Sequence, residues 1–171
     1  LHPSYILYTS GTTGSPKGIQ RDTGGYAVAL ASSMQYIFNC KPGEVFFCAS
    51  DIGWVVGHSY LVYGPLVHGC TTVLYAGLPT KPNSDIWWYL VEKYSVKTMF
   101  TSPTAVRVLK KDAAVREQNI DTSSLKTLFL AGEPLDTGTS SWINKRLPAT
   151  EIVDNYWQTE TGWPILSAQF G

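Results

Sequence analysis

The chain has 171 residues, which is the size of one domain and enough to bury a hydrophobic core without disulfide bonds. Hydrophobic residues make up 44% of it and charged residues 15%, a composition that excludes an intrinsically disordered chain. Its 13 basic residues balance 13 acidic ones, so it lacks the positive charge of a nucleic-acid-binding arm or a polybasic membrane anchor.

The cysteines indicate the cellular compartment of the protein, and the first residue indicates whether the chain is a fragment. The three cysteines, Cys40, Cys48 and Cys70, form no CxxC pair, which argues against a zinc site or a disulfide framework and favours a reducing compartment. No apolar run approaches the roughly 18 residues of a membrane span. We therefore expect a cytoplasmic protein, or one of the mitochondrial matrix if the source is eukaryotic. The chain starts at Leu1 rather than Met, and its low charge suits a body buried in a larger molecule, so we expect a fragment.

Strand-like and helix-like segments alternate along the chain. Short apolar or β-branched runs predict strands, and apolar spacing with capping residues predicts helices. In chain order they are strand Tyr5–Tyr8, helix Tyr26–Phe38, strand Val45–Cys48, helix Gly57–Val67 broken near Gly64-Pro65, strand Thr71–Leu74, a helix capped by Ser84 or Asp85 with Ile86, Leu90, Val91 and Tyr94 on one face, strand Thr98–Thr101, a helix from Ser102-Pro103, strand Leu125–Ala131, a helix from Asp136 through Leu147, and strand Ile152–Val153. This alternation predicts an α/β layered domain with a mostly parallel sheet flanked by helices.

Three loops of unusual composition follow predicted strands: Thr9–Gly18, Ala131–Pro134 and Asp154–Gly162. Ligands of parallel sheets bind at the carboxyl ends of strands, so these loops are candidate binding elements. The first combines three glycines and the hydroxyls of Thr9, Ser10, Thr12 and Thr13 with Lys17, which suits an anion. It is not a P-loop, because no Ser or Thr follows the lysine. By its glycines alone it could equally be a flexible surface loop.

The full string Tyr8–Gly18 resembles the phosphate-binding signature of the adenylate-forming superfamily, which includes acyl-CoA synthetases, luciferases and peptide-synthetase adenylation domains. The segments Asp51–Tyr60, Gly132–Pro134 and Asp154–Gly162 resemble later motifs of that superfamily, in the same order. The strings Arg21–Leu30 and Asp154–Glu160 are most similar to short-chain acyl-CoA synthetases, among them the propionyl-CoA synthetases. The resemblance implies that residues 1–171 belong to the large N-terminal AMP-binding domain, with a mobile C-terminal domain outside them.

The resemblance also implies the reaction and its residues. A carboxylate attacks the α-phosphate of ATP to give an acyl-adenylate and pyrophosphate, and coenzyme A then takes the acyl group and releases AMP. The carboxylate is already ionised, so the site needs positioning and charge stabilisation rather than a strong base. The implied catalytic residues are Lys17, His58, Thr159 and Glu160, and Glu160 would also bind Mg²⁺. The implied nucleotide contacts are Thr9, Ser10, Gly11, Thr12, Thr13 and Gly14 for phosphates, and Gly132, Glu133, Pro134, Asp154, Asn155, Tyr156 and Gln158 for adenosine.

Five residues are implied to form the acyl pocket: Trp54, Val55, Val56, Ala131 and Trp157. The resemblance implies that Trp157 would form a floor that excludes long chains and that Trp54 could gate the route to coenzyme A. Relatives that prefer acetate carry valine at the position of Ala131, so alanine leaves room for about one more methyl group. We expect propionate to be preferred and acetate accepted, because one methylene is worth about 0.8 kcal/mol.

Other interpretations remain open. His58 could be a packed structural histidine, and Trp54 or Tyr156 could be a core aromatic residue. The whole protein could be an acetyl-CoA synthetase instead, or the isolated chain could be a nucleotide-binding module without chemistry. A structural α/β domain without function is the third alternative. The expected partners are small substrates and the rest of the same chain, with no nucleic acid or membrane, and the isolated chain should have negligible synthetase activity.

Overall fold

A computed structural model describes residues 2–9, 14–112 and 119–168. Its elements, in chain order, are β1 Pro3–Thr9, β2 Lys17–Asp22, α1 Thr23–Tyr36, β3 Val45–Cys48, a π-helix Gly57–Tyr63, α2 Gly64–His68, β4 Thr71–Val73, α3 Ile86–Tyr94, β5 Thr98–Thr101, α4 Pro103–Asp112, β6 Thr127–Leu130, α5 Thr137–Arg146, β7 Glu151–Asp154, β8 Tyr156–Trp157 and β9 Pro164–Leu166. None of the helices in these ranges has both the length and the hydropathy needed to cross a bilayer.

The centre of the fold is a parallel sheet with strand order β4-β3-β5-β6-β7. Every residue of β5 and β6 is buried, as expected where helices cover both faces of a parallel sheet. The predicted α/β class and each predicted strand of this sheet are confirmed, and their bounds agree within two residues. Phe47 of β3 lies beside Met99 of β5, which in turn lies beside Leu128 of β6.

Two hydrophobic clusters cover the two faces of this sheet, because successive strand residues point to opposite faces. Phe46, Phe100 and Phe129 belong to the cluster that packs against α1 and the π-helix. The neighbouring residues Phe47 and Met99 belong to the other cluster, which packs against α3, α4 and α5. The sheet is therefore fixed on both sides, and its carboxyl edge carries two of the three loops that the sequence selected as binding elements, Ala131–Pro134 and Asp154–Gly162.

The segment around the glycine-rich loop differs from the prediction. β1 is not a buried strand of the main sheet, because it pairs antiparallel with β2 in a separate hairpin, where Ile6 and Tyr8 are exposed. Lys17 and Gly18, predicted to be loop residues, are the first two residues of β2. β2 was missed because its sequence Lys-Gly-Ile-Gln-Arg-Asp contains one apolar residue and gives no strand-like pattern.

Two helix predictions need correction. On α3, Trp87 and Trp88 are buried together with the predicted Leu90 and Val91, whereas Tyr94 is 45% exposed. The two tryptophans bury more apolar area than a tyrosine at the helix end, so they decide which face of the helix packs. The predicted break at Gly64-Pro65 is a change from π-helix to α-helix, in which the Gly64 N–H bonds to the Ser59 carbonyl five residues back.

The chain after β7 is more ordered than a polar loop. Tyr156 and Trp157 form β8, which pairs antiparallel with β9, and the turn of residues 158–163 joins them. The sequence predicted neither strand, because two-residue and three-residue strands give no periodic signal. This small hairpin aims Trp157 back into the hydrophobic cluster formed by α1 and the π-helix.

Candidate functional site

A cavity of about 460 Å³, here called the inner cavity, lies beyond the carboxyl ends of β3, β5 and β6. All five predicted acyl-pocket residues line it: Trp54, Val55, Val56, Ala131 and Trp157. Its remaining walls are mainly polar and include Ser50, Asp51, Thr101, Ser102, Thr104, Gln158 and Thr159. The inner cavity therefore has an apolar part set beside several hydroxyl groups.

The Trp157 side chain forms a wall of the inner cavity and is held by contacts with two aromatic rings. The indole is 9% exposed, and its ring centre lies 5.6 Å from that of Tyr60 and 5.9 Å from that of Phe100. Both neighbouring rings are fully buried, so the indole cannot tilt without disturbing the core. An apolar wall held in this way sets a firm limit on the length of whatever enters.

The other apolar walls differ in exposure. Ala131 directly follows β6, its N–H bonds to the Thr101 carbonyl at 3.2 Å, and its side chain is buried, as is that of Val55. Trp54 is 66% exposed, so the alternative that it is a core tryptophan is wrong. It lines the inner cavity and is also reached by solvent.

A second cavity of about 550 Å³, here called the outer cavity, adjoins the first. Six of the seven predicted adenosine contacts line it: Gly132, Glu133, Pro134, Asp154, Asn155 and Tyr156. The seventh, Gln158, lines the inner cavity and donates from Nε2 to the Tyr156 hydroxyl at 2.6 Å. Both cavities share Gly132, Glu133 and Trp157, so the two compartments meet at one wall.

The turn at Gly132 depends on glycine. Its φ of 105° lies in the left-handed region that side chains disfavour. The Asp154 carboxylate at the end of β7 accepts a hydrogen bond from the Leu135 N–H at 3.3 Å, which ties the turn to the neighbouring strand. The turn therefore presents backbone rather than side chain to the space between the cavities.

Glu133 is held by α4. Its carboxylate accepts from the Thr104 hydroxyl and from Nη1 of Arg107 at 2.8 Å, and these two contacts lower the pKa of Glu133. Nε of Arg107 also donates to Asp136 at 2.8 Å, and this bond is the main cause of the lowered pKa of Asp136. Since the Glu133 side chain is engaged in this way, its backbone is the part left free to contact a ligand.

Asn155 and Tyr156 offer complementary surfaces in the outer cavity. Asn155 is 5% exposed, and both its amide nitrogen and its amide oxygen lack partners among the described residues. Leaving buried polar atoms unpaired is costly, so this amide suits a ligand that both donates and accepts. Tyr156 is 50% exposed, and the alternative that it is a buried structural aromatic is wrong.

The turn after β8 carries Thr159 and Glu160. Thr159 lines the inner cavity. In the described part of the chain the Glu160 carboxylate has no hydrogen bond or ion pair, and no cluster of three or more His, Cys, Asp or Glu side chains could hold a metal ion. One free carboxylate fits Mg²⁺ that arrives with a nucleotide, because that ion keeps waters and phosphate oxygens as its other ligands.

The β1–β2 hairpin brings Thr9 and Lys17 opposite one another. The Thr9 hydroxyl is buried and has no partner among the described residues, and Lys17 is exposed. Gly14 has a φ of 84°, which again requires glycine. Ser10, Gly11, Thr12 and Thr13 lie outside the described residues, so their predicted phosphate contacts stay predictions.

His58 does not line either cavity. Its ring stacks on Tyr5 at 4.9 Å between ring centres, next to the hairpin. The structure also presents a residue that sequence reasoning missed, Arg21 on β2, which donates to the carbonyls of both Thr159 and Glu160. Arg21 begins the string Arg21–Leu30, whose resemblance to short-chain acyl-CoA synthetases assigned it no role, and only its spatial neighbours reveal one.

The sequence is similar to a known family and to several known proteins. The family of AMP-binding enzymes matches residues 2–169. The chain is 63% identical over 164 residues to the propionate–CoA ligase of Salmonella typhimurium strain LT2, covering 96% of this chain and 26% of that protein. It is 61% identical over 168 residues to the propionate–CoA ligase of Escherichia coli K12, covering 98% of this chain and 27% of that protein.

A relative with lower identity is named as a short-chain acyl-CoA synthetase. The chain is 49% identical over 173 residues to the mitochondrial acyl-CoA synthetase short-chain family member 3 of Bos taurus, covering 99% of this chain and 25% of that protein. The chain thus spans about a quarter of the length of the curated relatives it matches.

Proposed function

Because the chain belongs to the AMP-binding enzyme family, we propose that its full-length protein activates a short-chain carboxylate, with propionate preferred, to acyl-adenylate and then to acyl-CoA. In this proposal the described residues form part of the N-terminal AMP-binding domain, and a mobile C-terminal domain completes the site. ATP, coenzyme A and the acid are the substrates. We place the protein in the cytoplasm, which suits its three free cysteines.

The observation that carries the proposal is the junction of the two cavities at Gly132, Glu133 and Trp157. An acyl-adenylate has a short apolar group joined through one phosphate to a nucleoside. The inner cavity offers an apolar end with hydroxyl groups beside it, and the outer cavity offers the exposed Tyr156 ring and the unpaired Asn155 amide. The phosphate would then lie at the shared wall, within reach of Thr159.

The proposed reaction needs no strong general base from this chain. The acid enters ionised, so the inner cavity has only to orient it towards the α-phosphate and exclude water. The Thr159 hydroxyl would donate to the α-phosphate, and Lys17 with the other predicted phosphate contacts, Thr9, Ser10, Gly11, Thr12, Thr13 and Gly14, would bind the outer phosphates. Glu160 would hold Mg²⁺, and that ion would supply positive charge beside the phosphates when bound. His58 would act near the acyl group only if its ring left Tyr5.

The size of the acid follows from the apolar walls. Trp157 closes the inner cavity, and Ala131 contributes one methyl group where a larger side chain would occupy the space of the substrate methyl. Acetate should still bind, because a pocket separates homologues that differ by one methylene only by roughly 10- to 200-fold. The two bacterial relatives named as propionate–CoA ligases support propionate over the acetyl-CoA synthetase alternative.

The second substrate would enter from the open side. Trp54 is exposed at the mouth of the inner cavity, where the thiol of coenzyme A must reach the acyl carbon. Residues beyond this chain would supply most contacts to coenzyme A. We therefore expect the isolated 171 residues to bind adenine nucleotide weakly and to form no acyl-CoA.

The experiment is a comparison of acetate, propionate and butyrate as substrates of the full-length protein, with ATP, Mg²⁺ and coenzyme A supplied. The kcat/KM for acyl-CoA formation should be highest with propionate. A higher kcat/KM with acetate would leave acyl-CoA formation as the proposed reaction but would reject the proposal that the acyl pocket is sized for propionate. Absence of turnover with all three acids, in a folded protein that binds AMP, would leave the nucleotide-binding module as the better description.

A further inference from the structure

The hydrogen bonds inside the turn that carries Thr159 and Glu160 run between its other residues. Inside the turn, the N–H groups of Thr161 and Gly162 both bond to the Gln158 carbonyl, at 3.2 and 3.1 Å. The Thr161 hydroxyl lies 2.9 Å from the carbonyls of Gln158 and Trp163 and accepts from the Gln158 N–H at 3.3 Å. The carbonyls of Thr159 and Glu160 take no part in these bonds. The two carbonyls therefore have no partner inside the turn, and any contact that fixes them must come from outside it.

Arg21 binds those two carbonyls. Nη1 donates to the Glu160 carbonyl at 2.7 Å, and Nη2 donates to the Thr159 carbonyl. The guanidinium also lies over the Tyr26 ring, with Cζ 5.7 Å from the ring centre. No carboxylate among the described residues pairs with Arg21, so its fork-shaped set of donors serves the turn.

Gly162 permits this approach. A Cβ atom at this position would lie 2.9 Å from Cζ of Arg21, closer than any real contact of that kind. The φ of Gly162 is 76°, which a side chain would also disfavour. The close packing of the guanidinium against the turn therefore depends on glycine at this position.

A chain of hydroxyl groups supports the same turn from a second side. Ser59 Oγ donates to the Gly162 carbonyl at 2.6 Å, so its only hydrogen is used. The Tyr26 hydroxyl, 2.6 Å away, must then donate to Ser59, and the Tyr5 hydroxyl donates to Tyr26 at 2.9 Å. Burial raises the pKa of Tyr26, which keeps this donor protonated. The hairpin, through Arg21, and the π-helix, through Ser59, thus contact the turn directly, and Tyr26 of α1 supports both contacts.

We propose that Arg21 is a positioning residue, which fixes the Thr159 hydroxyl and the Glu160 carboxylate by binding the carbonyls of the same two residues. The proposal deepens the proposed function and rests on it for the roles of Thr159 and Glu160. Because Arg21 is on β2, it also couples the phosphate-binding hairpin to the residues that would contact the α-phosphate and Mg²⁺. Movement of one element would displace the other.

The test uses three variants of the full-length protein and one control. Arg21→Ala removes both donors, Arg21→Lys keeps the charge with an amine that cannot span both carbonyls, and Gly162→Ala pushes the guanidinium away. Arg146→Lys is the matched control, since Arg146 also lies over an aromatic ring, that of Trp88, but contacts neither cavity. The assay is propionate-dependent exchange of pyrophosphate into ATP, measured against free Mg²⁺.

In the three test variants we expect kcat to fall by about 10- to 100-fold, the range for displaced catalytic groups. The Mg²⁺ concentration for half-maximal rate should rise at least about threefold, while the KM for propionate stays within about twofold because the apolar walls are untouched. A purely structural role would lower the amount of active protein without moving the Mg²⁺ dependence. Wild-type Mg²⁺ dependence and kcat in folded Arg21→Ala protein would overturn the proposal.

Hydrogen–deuterium exchange tests Arg21 without any activity. Amides of residues 158–163 should exchange faster by at least about tenfold in Arg21→Ala, whereas those of β5 and β6 should match the wild type. Unchanged exchange in the turn would also overturn the proposal. If wild-type protein shows no pyrophosphate exchange with any short-chain acid, the proposed function fails, and the amide exchange still decides whether Arg21 holds the turn.

Discussion

Replacing Ala131 with valine should move substrate preference from propionate towards acetate. Ala131 is buried at the end of β6 and lines the inner cavity, so two added methyl groups must occupy cavity space. Valine suits the extended backbone of a strand end, and the wall is expected to keep its position. The change therefore acts on the volume left for the acid rather than on the fold.

The magnitude follows from the methyl group that propionate has and acetate lacks. If valine only prevents the burial of that methyl group, propionate loses about 0.8 kcal/mol of binding free energy. The ratio of kcat/KM for propionate to kcat/KM for acetate then falls about fourfold. If the fixed Trp157 ring prevents any shift, the group clashes, and the change approaches the roughly 10- to 200-fold limit for one methylene. The kcat/KM for acetate should change by less than about twofold on the same argument.

The assay measures kcat/KM for acetate and propionate with both proteins, in saturating ATP and coenzyme A. Ala105→Val is the matched control, because Ala105 packs in the cluster on the opposite face of the sheet and does not line the inner cavity. That variant should leave the propionate-to-acetate ratio unchanged. A ratio that stays constant in folded, active Ala131→Val protein would refute the assignment of Ala131 to the acyl pocket.

Three further predictions concern the floor, the metal and α4. Trp157→Gly should give measurable turnover of pentanoate and hexanoate, because it removes the wall that Tyr60 and Phe100 fix; no gain on either acid would exclude Trp157 as the floor. Glu160→Gln should raise the Mg²⁺ requirement of pyrophosphate exchange about tenfold or more with an unchanged KM for propionate, and an unaltered requirement would reject it as the metal ligand. Arg107→Met should lower Tm at pH 7, since Arg107 helps to hold the pKa values of Glu133 and Asp136 below normal.

The Tm difference caused by Arg107→Met should depend on pH, because Arg107 lowers the pKa values of two carboxyl groups. Both carboxyl pKa values are lowered in the folded state, so their stabilising contribution is present above the unfolded pKa of about 4 and is lost as pH falls through the folded values. The Tm difference between wild type and Arg107→Met should therefore shrink between pH 6 and pH 2, as measured by circular dichroism. A difference that stays constant over this range would contradict the ion-pair argument.

The buried sheet could be predicted because its strands are continuous runs of apolar and β-branched residues between glycine-containing or polar segments. The same logic fails for β2 and β9, whose pairing partners rather than their own composition make them strands. Trp87 and Trp88 were not assigned to the buried face of α3, because apolar spacing alone does not weigh the size of the side chains.

The site could be predicted where a motif keeps its residues together in the chain. Gly132–Pro134 and Asp154–Tyr156 are adjacent in sequence and line one cavity. Arg21 could not be found in this way, because its partners Thr159 and Glu160 lie 138 and 139 residues away. Contacts at that separation arise only from the fold, so a residue that acts through them has no local signature.

The wall shared by the two cavities has a consequence for how such a protein can change its substrate. Gly132, Glu133 and Trp157 face both compartments, so altering any of them to admit a new acid also reshapes the space beside the nucleotide. Val55, Val56 and Ala131 face only the inner cavity. Divergence between duplicated copies, or directed evolution in the laboratory, should therefore reach new acids through these three positions first, with the nucleotide compartment inherited intact.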